Sequence, residues 1–156
     1  MPYNACNGSV VNQGRVDSRG RLILIPPFNE DGLLPPGLHL ATLQEVAERF
    51  GKESELRRAQ MQSIGWLLDA ARRAGALRLV INGSFVTEVF EPNDVDCVLL
   101  IGPSFPSDAA VEAELLAGLP FLEIQVVEDS EFRDLVETFF ATDRYDRPKG
   151  MIEVVL

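Results

Sequence analysis

The chain has 156 residues, 46% of them hydrophobic and 24% charged, which predicts one globular domain of ordinary size rather than a disordered segment. Its formal net charge of −10 argues against a long nucleic acid as partner and favours cations. The two cysteines, Cys6 and Cys97, predict neither a disulfide framework nor a zinc site, and without a long apolar run or a basic leader we expect a cytoplasmic protein with no membrane contact.

The first part of the chain is predicted to hold few regular elements. Residues 1–20 are rich in Asn, Gly and Ser, which indicates a poorly ordered N-terminal arm or a loose hairpin, and residues 21–156 are predicted to form the single domain. Residues 21–25 predict a short strand. The prolines and glycines of residues 29–37 favour an extended connector, and we expect His39 beyond it to fix loop geometry through a ring hydrogen bond rather than to act in catalysis.

Two helices are predicted next. One covers residues 42–50, where Thr42 and Glu45 form a capping box. A longer one covers residues 54–74, and we expect Trp66 on it to lie in the core or at an interface. The apolar stripe of the longer helix comprises Leu56, Ile64, Leu67, Leu68 and Ala71.

The second half of the chain alternates strands and helices. Strands are predicted over residues 77–81, 94–101, 121–127 and 151–156, and helices over residues 107–116 and 130–140. We expect Ser107 to cap the first of these helices. The buried stripe of the second is predicted to comprise Phe132, Leu135, Val136, Phe139 and Phe140. This order predicts an α/β or α+β fold in which one mixed sheet of about four strands is covered by helices.

A turn followed by two carboxylates is the most informative motif. Asn82-Gly83-Ser84 ends a predicted strand where backbone N–H groups and a small hydroxyl can approach a phosphate closely. Asp94 and Asp96 lie two residues apart on the next strand and therefore share a face. Two carboxylates so close repel each other unless a cation lies between them, and Mg²⁺ takes such ligands together with phosphate oxygens and water. The motif therefore predicts a metal-dependent nucleotide site.

A turn at residues 91–94 is the alternative reading for Asp94, because Asp often opens the strand after such a turn. Asp96 is harder to explain in that way. It lies inside an otherwise apolar strand, where an unpaired carboxylate is costly and is usually paired or bound to a metal.

The Gly83-Ser84 pair, its spacer and Asp94-Val95-Asp96 resemble the signature of the DNA polymerase beta-like nucleotidyltransferase superfamily. The resemblance implies a minimal nucleotidyltransferase fold. It also implies a third carboxylate on a neighbouring strand, for which Glu123 is the better candidate and Glu128 the weaker one. The toxin–antitoxin branch of that superfamily often has Arg and Gly after the Gly-Ser pair, where this chain has Phe85-Val86-Thr87, so that branch's substrate is not implied.

A closer likeness is to a family of small bacterial and phage-type proteins of unknown function. Three stretches carry it: LLPPGLHLAT (33–42), INGSFVTEVFEPNDVDCVLL (81–100) and DRPKGMIEVVL (146–156). Together they span most of the chain beyond residue 30. This likeness implies no particular activity.

Several further residues are candidates for the same site, each with a structural alternative. Glu123 would complete the metal site, but a solvent-facing strand surface gives the same alternation. Thr87 is a candidate for phosphate contact with Gly83 and Ser84, or only satisfies a backbone group. Arg144, Arg147 and Lys149 are candidates for holding a triphosphate or a nucleic-acid end, or form a solvated loop that balances Asp143 and Asp146.

Two functions from different classes fit these features. The first is a nucleotidyltransferase-like protein that binds a nucleoside triphosphate with Mg²⁺ or Mn²⁺ through Asp94, Asp96 and Glu123 and transfers a nucleotidyl group to a hydroxyl of a protein, an RNA end or a small molecule. The second is a non-catalytic interaction module, such as an antitoxin or inhibitor, that binds a protein partner, and the small size of the chain favours it. Mg²⁺-dependent binding of ATP or GTP distinguishes the first from the second.

Overall fold

The computed structural model describes residues 15–16, 22–23 and 25–156. Near its start, β1 (Arg15–Val16) pairs with β2 (Leu22–Ile23) in an antiparallel ladder. The strand predicted over residues 21–25 is therefore confirmed for the two residues of β2. The remainder of the predicted N-terminal arm, including Cys6, lies outside the described residues.

A five-stranded mixed sheet forms the centre of the fold. Its strands are β3 (Gly37–Ala41), β4 (Arg78–Asn82), β5 (Val95–Leu100), β6 (Leu122–Val127) and β7 (Gly150–Val154). They lie in the order β3-β7-β4-β5-β6. The two outer pairs, β3 with β7 and β5 with β6, are parallel, whereas β4 is antiparallel to both of its neighbours. The predicted mixed sheet is confirmed, with five strands instead of about four.

The strand missing from the prediction is β3. It lies at the edge of the sheet and pairs only with β7, so Leu40 is left 52% exposed and the strand shows no clear alternation. His39 consequently lies in a strand, not in a loop. Its Nε2 donates a hydrogen bond to the Pro35 carbonyl oxygen at 2.7 Å, which confirms the ring hydrogen bond expected of this residue.

Four α-helices are present in the described part of the chain, and none of them is long and apolar enough to cross a membrane. They are α1 (Leu43–Phe50), α2 (Glu55–Ala74), α3 (Ala109–Ala117) and α4 (Asp129–Glu137). The capping box of Thr42 with Glu45 is confirmed at the start of α1. At α3 the prediction was wrong by one residue. Asp108 caps the helix by accepting the N–H of Ala110, while Ser107 Oγ donates to the Arg73 carbonyl oxygen at 2.8 Å.

The helices cover both faces of the sheet. The first three, α1 to α3, enclose the larger core with one face, and α4 encloses a smaller core with the other. Because side chains alternate along a strand, β5 directs Cys97 to the larger core and Asp96 to the α4 face. Val80 and Val98 on that face lie in the smaller core, whereas Asn82 and Asp96 lie beyond it. The open end of the α4 face is therefore where the candidate site residues meet.

The predicted stripes of two helices are confirmed only in part. On α2, Trp66 is 49% exposed, which excludes a core position, and Leu56 is only partly buried, while the rest of the stripe is buried. The helix predicted over residues 130–140 ends at Glu137, and Phe139–Ala141 forms a separate 3₁₀ turn. This break turns Phe139 to the surface, contrary to the prediction, and leaves Phe140 buried.

Candidate functional site

The turn at Gly83 lies directly against both aspartates. Gly83 has φ +83° and ψ −172°, a conformation that residues with a side chain rarely adopt. A Cβ at this position would lie 3.0 Å from the Asp94 carbonyl oxygen, 3.0 Å from Asp96 Oδ2 and 3.2 Å from Asp94 Oδ2. Both carboxylates thus approach one point above the Gly83 backbone, and only glycine leaves that point free.

Ser84 ties this turn to Asp94. Ser84 Oγ donates to Asp94 Oδ1 at 2.5 Å and accepts the backbone N–H groups of Asn93 at 3.0 Å and Asp94 at 3.3 Å. The bond from Ser84 uses one carboxylate oxygen of Asp94, Oδ1. Asp94 itself lies just before β5, as the alternative of a turn at residues 91–94 suggested. The other oxygen, Oδ2, faces Gly83. The Ser84 hydroxyl therefore positions Asp94, a role that the motif alone did not predict.

The Thr87 side chain hydrogen-bonds to backbone groups, which was the structural alternative to phosphate binding. Its Oγ1 donates to the Ser84 carbonyl oxygen at 2.6 Å and accepts the Val89 N–H at 3.3 Å. These two bonds close the segment that leaves the turn. Any role of Thr87 in phosphate binding stays a prediction.

Asp96 is surrounded by like charge. Its register partners are Asn82 on β4 and Glu123 on β6, so Glu123 occupies the neighbouring strand, as expected. Burial, together with the charges and hydrogen bonds of Asp94 and Glu123, raises the pKa of Asp96 to about 7. Glu128 lies at the start of α4, beyond the opposite end of β6.

The role of Glu123 as a third metal ligand beside Asp94 and Asp96 stays a prediction. Among residues 15–16, 22–23 and 25–156, no group of three or more His, Cys, Asp or Glu side chains is arranged so that it could hold a metal ion. Glu123 is exposed on its strand, whereas Asp94 and Asp96 both reach the point above Gly83. Asp94 and Asp96 therefore both face Gly83, and Glu123 lies beside Asp96.

Lys149 lies beside these acids in a buried position. It is 7% exposed, and its Nζ donates a hydrogen bond to Asn82 Oδ1. Burial lowers the pKa of Lys149, and the negative charges of Asp96 and Asp94 oppose that shift. The alternative of a solvated loop residue is therefore wrong for Lys149.

The segment that carries Arg144 and Arg147 is held by Asp143. Arg147 Nε donates to Asp143 Oδ2 at 2.7 Å, and Arg147 also pairs with Asp31 at 3.2 Å. Burial alone would raise the pKa of Asp143, but the hydrogen bonds from the Arg147 side chain and from the backbone of Arg147 and Tyr145 lower it. Arg147 thus pairs with Asp143 and Asp31, in line with the structural alternative of a loop that balances nearby acids. Arg144 is exposed to solvent.

These residues line one cleft of about 1030 Å³. The segment from Asn82 to Asp96 contributes the turn and both aspartates, and the segment from Thr138 to Lys149 contributes the basic residues. The cleft therefore brings together every predicted phosphate-binding residue: Gly83, Ser84, Thr87, Arg144, Arg147 and Lys149. Glu123 does not line it.

A family model described as a family of unknown function, DUF6932, matches residues 26–155. The chain belongs to this family. The DUF6932 match includes β3 to β7 and all the residues of the cleft, and it covers the three stretches that carry the closer sequence likeness except for Leu156. Neither a curated protein nor a solved structure matches the chain. The link to the nucleotidyltransferase superfamily stays a prediction.

Arg57 is the residue of this DUF6932 chain that sequence reasoning missed. It lies on α2, is 2% exposed, and donates all five guanidinium N–H groups to backbone carbonyl oxygens. The acceptors are those of Phe50, Phe85, Thr87, Val89 and Phe90. Four of them belong to the segment that follows the Gly83 turn, so Arg57 holds that segment in place. Its helical spacing with Ile64 and the rest of the buried stripe was the signal that could have identified it.

We expect Asp96→Asn to raise the melting temperature of the metal-free DUF6932 protein by more at pH 8 than at pH 5. The folded-state pKa of about 7 lies above the ordinary 3.8, so the folded state keeps a proton that the unfolded state releases. The stability of the unmodified protein therefore falls as the pH rises from about 4 to about 7, and asparagine removes this loss. Thermal unfolding in EDTA should show a gain of about 2–6 °C at pH 8.

The matched control is Asp134→Asn, which removes the same charge from an exposed position on α4 outside the cleft. It should change the melting temperature little at either pH. A melting temperature lowered by Asp96→Asn at both pH values would instead identify Asp96 as a structural hydrogen-bonding residue.

Proposed function

We propose that the cleft binds a nucleoside triphosphate with Mg²⁺ or Mn²⁺ and that the protein transfers a nucleotidyl group to a hydroxyl of a protein, an RNA end or a small molecule. One observation carries the proposal. Two carboxylate oxygens, Asp94 Oδ2 and Asp96 Oδ2, lie within 3.2 Å of one point above a glycine turn whose backbone is open to the cleft. Acids and a backbone surface free of side chains meet where a cation and a phosphate would both be needed.

The donor set fits a cation held by two carboxylates. Mg²⁺ in nucleotide sites takes one or two carboxylates and completes its coordination with phosphate oxygens and water. Asp94 and Asp96 would hold it, and Glu123 would act on Asp96 through its charge rather than as a third ligand. When bound, the cation would neutralise phosphate charge and lower the pKa of the acceptor hydroxyl.

The charges of the cleft explain why nucleotide binding would depend on the cation. Six acidic and three basic side chains line the cleft: Asp31, Glu88, Asp94, Asp96, Asp143, Asp146, Arg144, Arg147 and Lys149. Arg147 is already paired with two of these acids. A triphosphate alone would therefore meet net repulsion, which Lys149 beside the two aspartates offsets only in part.

The residues of the chain would divide the remaining tasks. Gly83 would let the phosphates approach the backbone, and Lys149 would place a positive charge next to them. Ser84 would keep Asp94 in position through its 2.5 Å hydrogen bond. The net charge of −10 favours a protein or small-molecule hydroxyl over a long nucleic acid as acceptor.

A binding module without catalysis is the second candidate. It is favoured by the lack of a three-carboxylate metal group in the described residues. Such a protein would use the same cleft or another surface to bind a protein partner, as an antitoxin or inhibitor does.

Isothermal titration with ATP and GTP, each with and without Mg²⁺, tests the proposal. We expect Mg²⁺-dependent binding by the unmodified protein and by Asp134→Asn, and a loss of about 100-fold or more in affinity for Asp96→Asn, because asparagine removes one charge that holds the cation. Circular dichroism should show all three proteins folded. Release of pyrophosphate in the presence of an acceptor would then distinguish transfer from binding.

The proposal is overturned if the unmodified protein binds neither nucleotide in the presence of Mg²⁺. Binding that survives Asp96→Asn would place the nucleotide elsewhere. If the protein binds a nucleotide but releases pyrophosphate with none of the three acceptors, a protein, an RNA end or a small molecule, the binding module would be favoured.

A further inference from the structure

Two strongly exposed aromatic side chains line the candidate cleft. Phe139 is 69% exposed and Tyr145 70% exposed. Neither ring takes part in the contacts of the metal and phosphate site proposed above. Large exposed rings gathered in one cleft are typical of a surface that binds a ligand, because such rings gain most by being covered.

The fold directs Phe139 out of the core. The helix α4 ends at Glu137, and the 3₁₀ turn that follows Thr138 places Phe140 in the smaller core and Phe139 at the surface. The rings of Phe139 and Phe140 meet edge to face, with 5.1 Å between their centroids and 72° between their planes. The buried ring of Phe140 therefore supports the exposed ring of Phe139.

Tyr145 is held in a turn built around Asp143. Asp143 Oδ1 accepts the backbone N–H groups of Tyr145 at 2.8 Å and Arg147 at 3.0 Å. The guanidinium of Arg147 lies 5.3 Å from the centroid of the Tyr145 ring. Because these hydrogen bonds already fix the backbone at Tyr145, little backbone freedom is lost when its ring stacks on a ligand.

The cleft is larger than a metal and phosphate site needs. Its volume of about 1030 Å³ is slightly above the ~300–1,000 Å³ range of small-molecule sites. The Gly83 turn and the aromatic pair, which we define as Phe139 and Tyr145, both line this volume from different segments. A ligand that joins phosphates to a flat ring matches both parts.

We infer that the aromatic pair holds the base of the nucleotide by stacking, so that the cleft selects nucleotides over bare polyphosphates. This inference rests on the proposed function. Stacking uses the face that every base has, so both purine and pyrimidine triphosphates bind, with the larger purine ring held more tightly.

The experiment compares ligands with and without a base. ATP, CTP and inorganic tripolyphosphate, each with Mg²⁺, are titrated into the unmodified protein and into Phe139→Ala and Tyr145→Ala. Each variant should lose about tenfold or more in affinity for ATP, the scale of one base–aromatic stack, and should keep its affinity for tripolyphosphate. Phe139→Leu, which keeps an apolar contact with Phe140, should lose affinity for ATP while remaining folded.

Phe90→Ala is the matched control, because Phe90 is also an exposed phenylalanine but does not line the cleft. It should bind all three ligands as the unmodified protein does. Unchanged ATP affinity in the aromatic variants, with tripolyphosphate still bound, overturns the inference and leaves the proposed function standing. An equal loss for ATP and tripolyphosphate also overturns it, because the rings would then act through the fold. If the unmodified protein binds neither ATP nor tripolyphosphate in the presence of Mg²⁺, both this inference and the proposed function are overturned.

Discussion

Replacing Arg57 by methionine should lower the free energy of unfolding by about 4 kcal/mol or more. The guanidinium supplies five hydrogen bonds to carbonyl oxygens from a position that is 2% exposed, and methionine supplies none. Each buried acceptor left without a donor costs about 1–3 kcal/mol, and total stabilities of single domains are only about 5–15 kcal/mol. Urea unfolding followed by circular dichroism measures the change.

Arg58→Met is the matched control, since it removes the same group from the next residue of α2. Arg58 is exposed and donates to the Lys52 carbonyl oxygen at 2.9 Å, so its loss should cost at most about 1 kcal/mol. Similar effects of the two substitutions would contradict the role given to Arg57. If Arg57→Lys remains folded, it should weaken nucleotide binding, because a lysine cannot hold all the carbonyl groups that follow the Gly83 turn.

The substitution Gly83→Ala should abolish Mg²⁺-dependent nucleotide binding, with a loss of about 100-fold or more in affinity. An alanine is strained at φ +83°, and its Cβ would lie 3.0 Å from Asp96 Oδ2 and 3.2 Å from Asp94 Oδ2. It would occupy the point at which both carboxylates meet and would separate the phosphates from the backbone. Isothermal titration of ATP with Mg²⁺ measures the loss.

Gly118→Ala controls for the backbone strain. Gly118 has φ +81° and ψ 167°, close to the conformation of Gly83, but a Cβ there meets nothing within 4 Å. Both variants should therefore lose stability through backbone strain, Gly83→Ala should lose more because of its close contacts, and only Gly83→Ala should lose binding. The double variant Arg144→Ala/Arg147→Ala should bind nearly normally, because Arg147 is already paired and Arg144 is exposed. Loss of binding in the double variant with normal binding in Gly83→Ala would move the phosphate site to residues 143–149.

Local signals predicted much of the fold. The capping box at Thr42 and the glycine after Ala74 depend on neighbouring residues alone, and the helices they delimit were predicted correctly. The alternation predicted for residues 94–101 likewise placed Asp94 and Asp96 on the same face. Features that depend on distant partners were missed: the edge strand β3 is paired only with β7, and the break at Thr138 depends on where Phe139 and Phe140 pack.

The candidate site shows the same division. Spacing identified Gly83 and the two aspartates, because the turn and the strand each follow a local rule. The burial of Arg57 and Lys149 was harder to predict, since a charged side chain on a helix or loop is usually solvated, and only Arg57 had a local signal in its helical spacing with the buried stripe. Each is buried because polar groups from distant parts of the chain surround it.

The position of β7 makes the order of synthesis important. Residues 150–154 follow the other four strands of the sheet in sequence, yet they insert between β3 and β4, and β3 has no other partner in the sheet. Until the ribosome has released this segment, β3 and β4 each expose an unpaired edge, which is a surface prone to aggregation. We therefore expect the nascent chain to complete its sheet, and with Lys149 its cleft, only after translation has passed Val154.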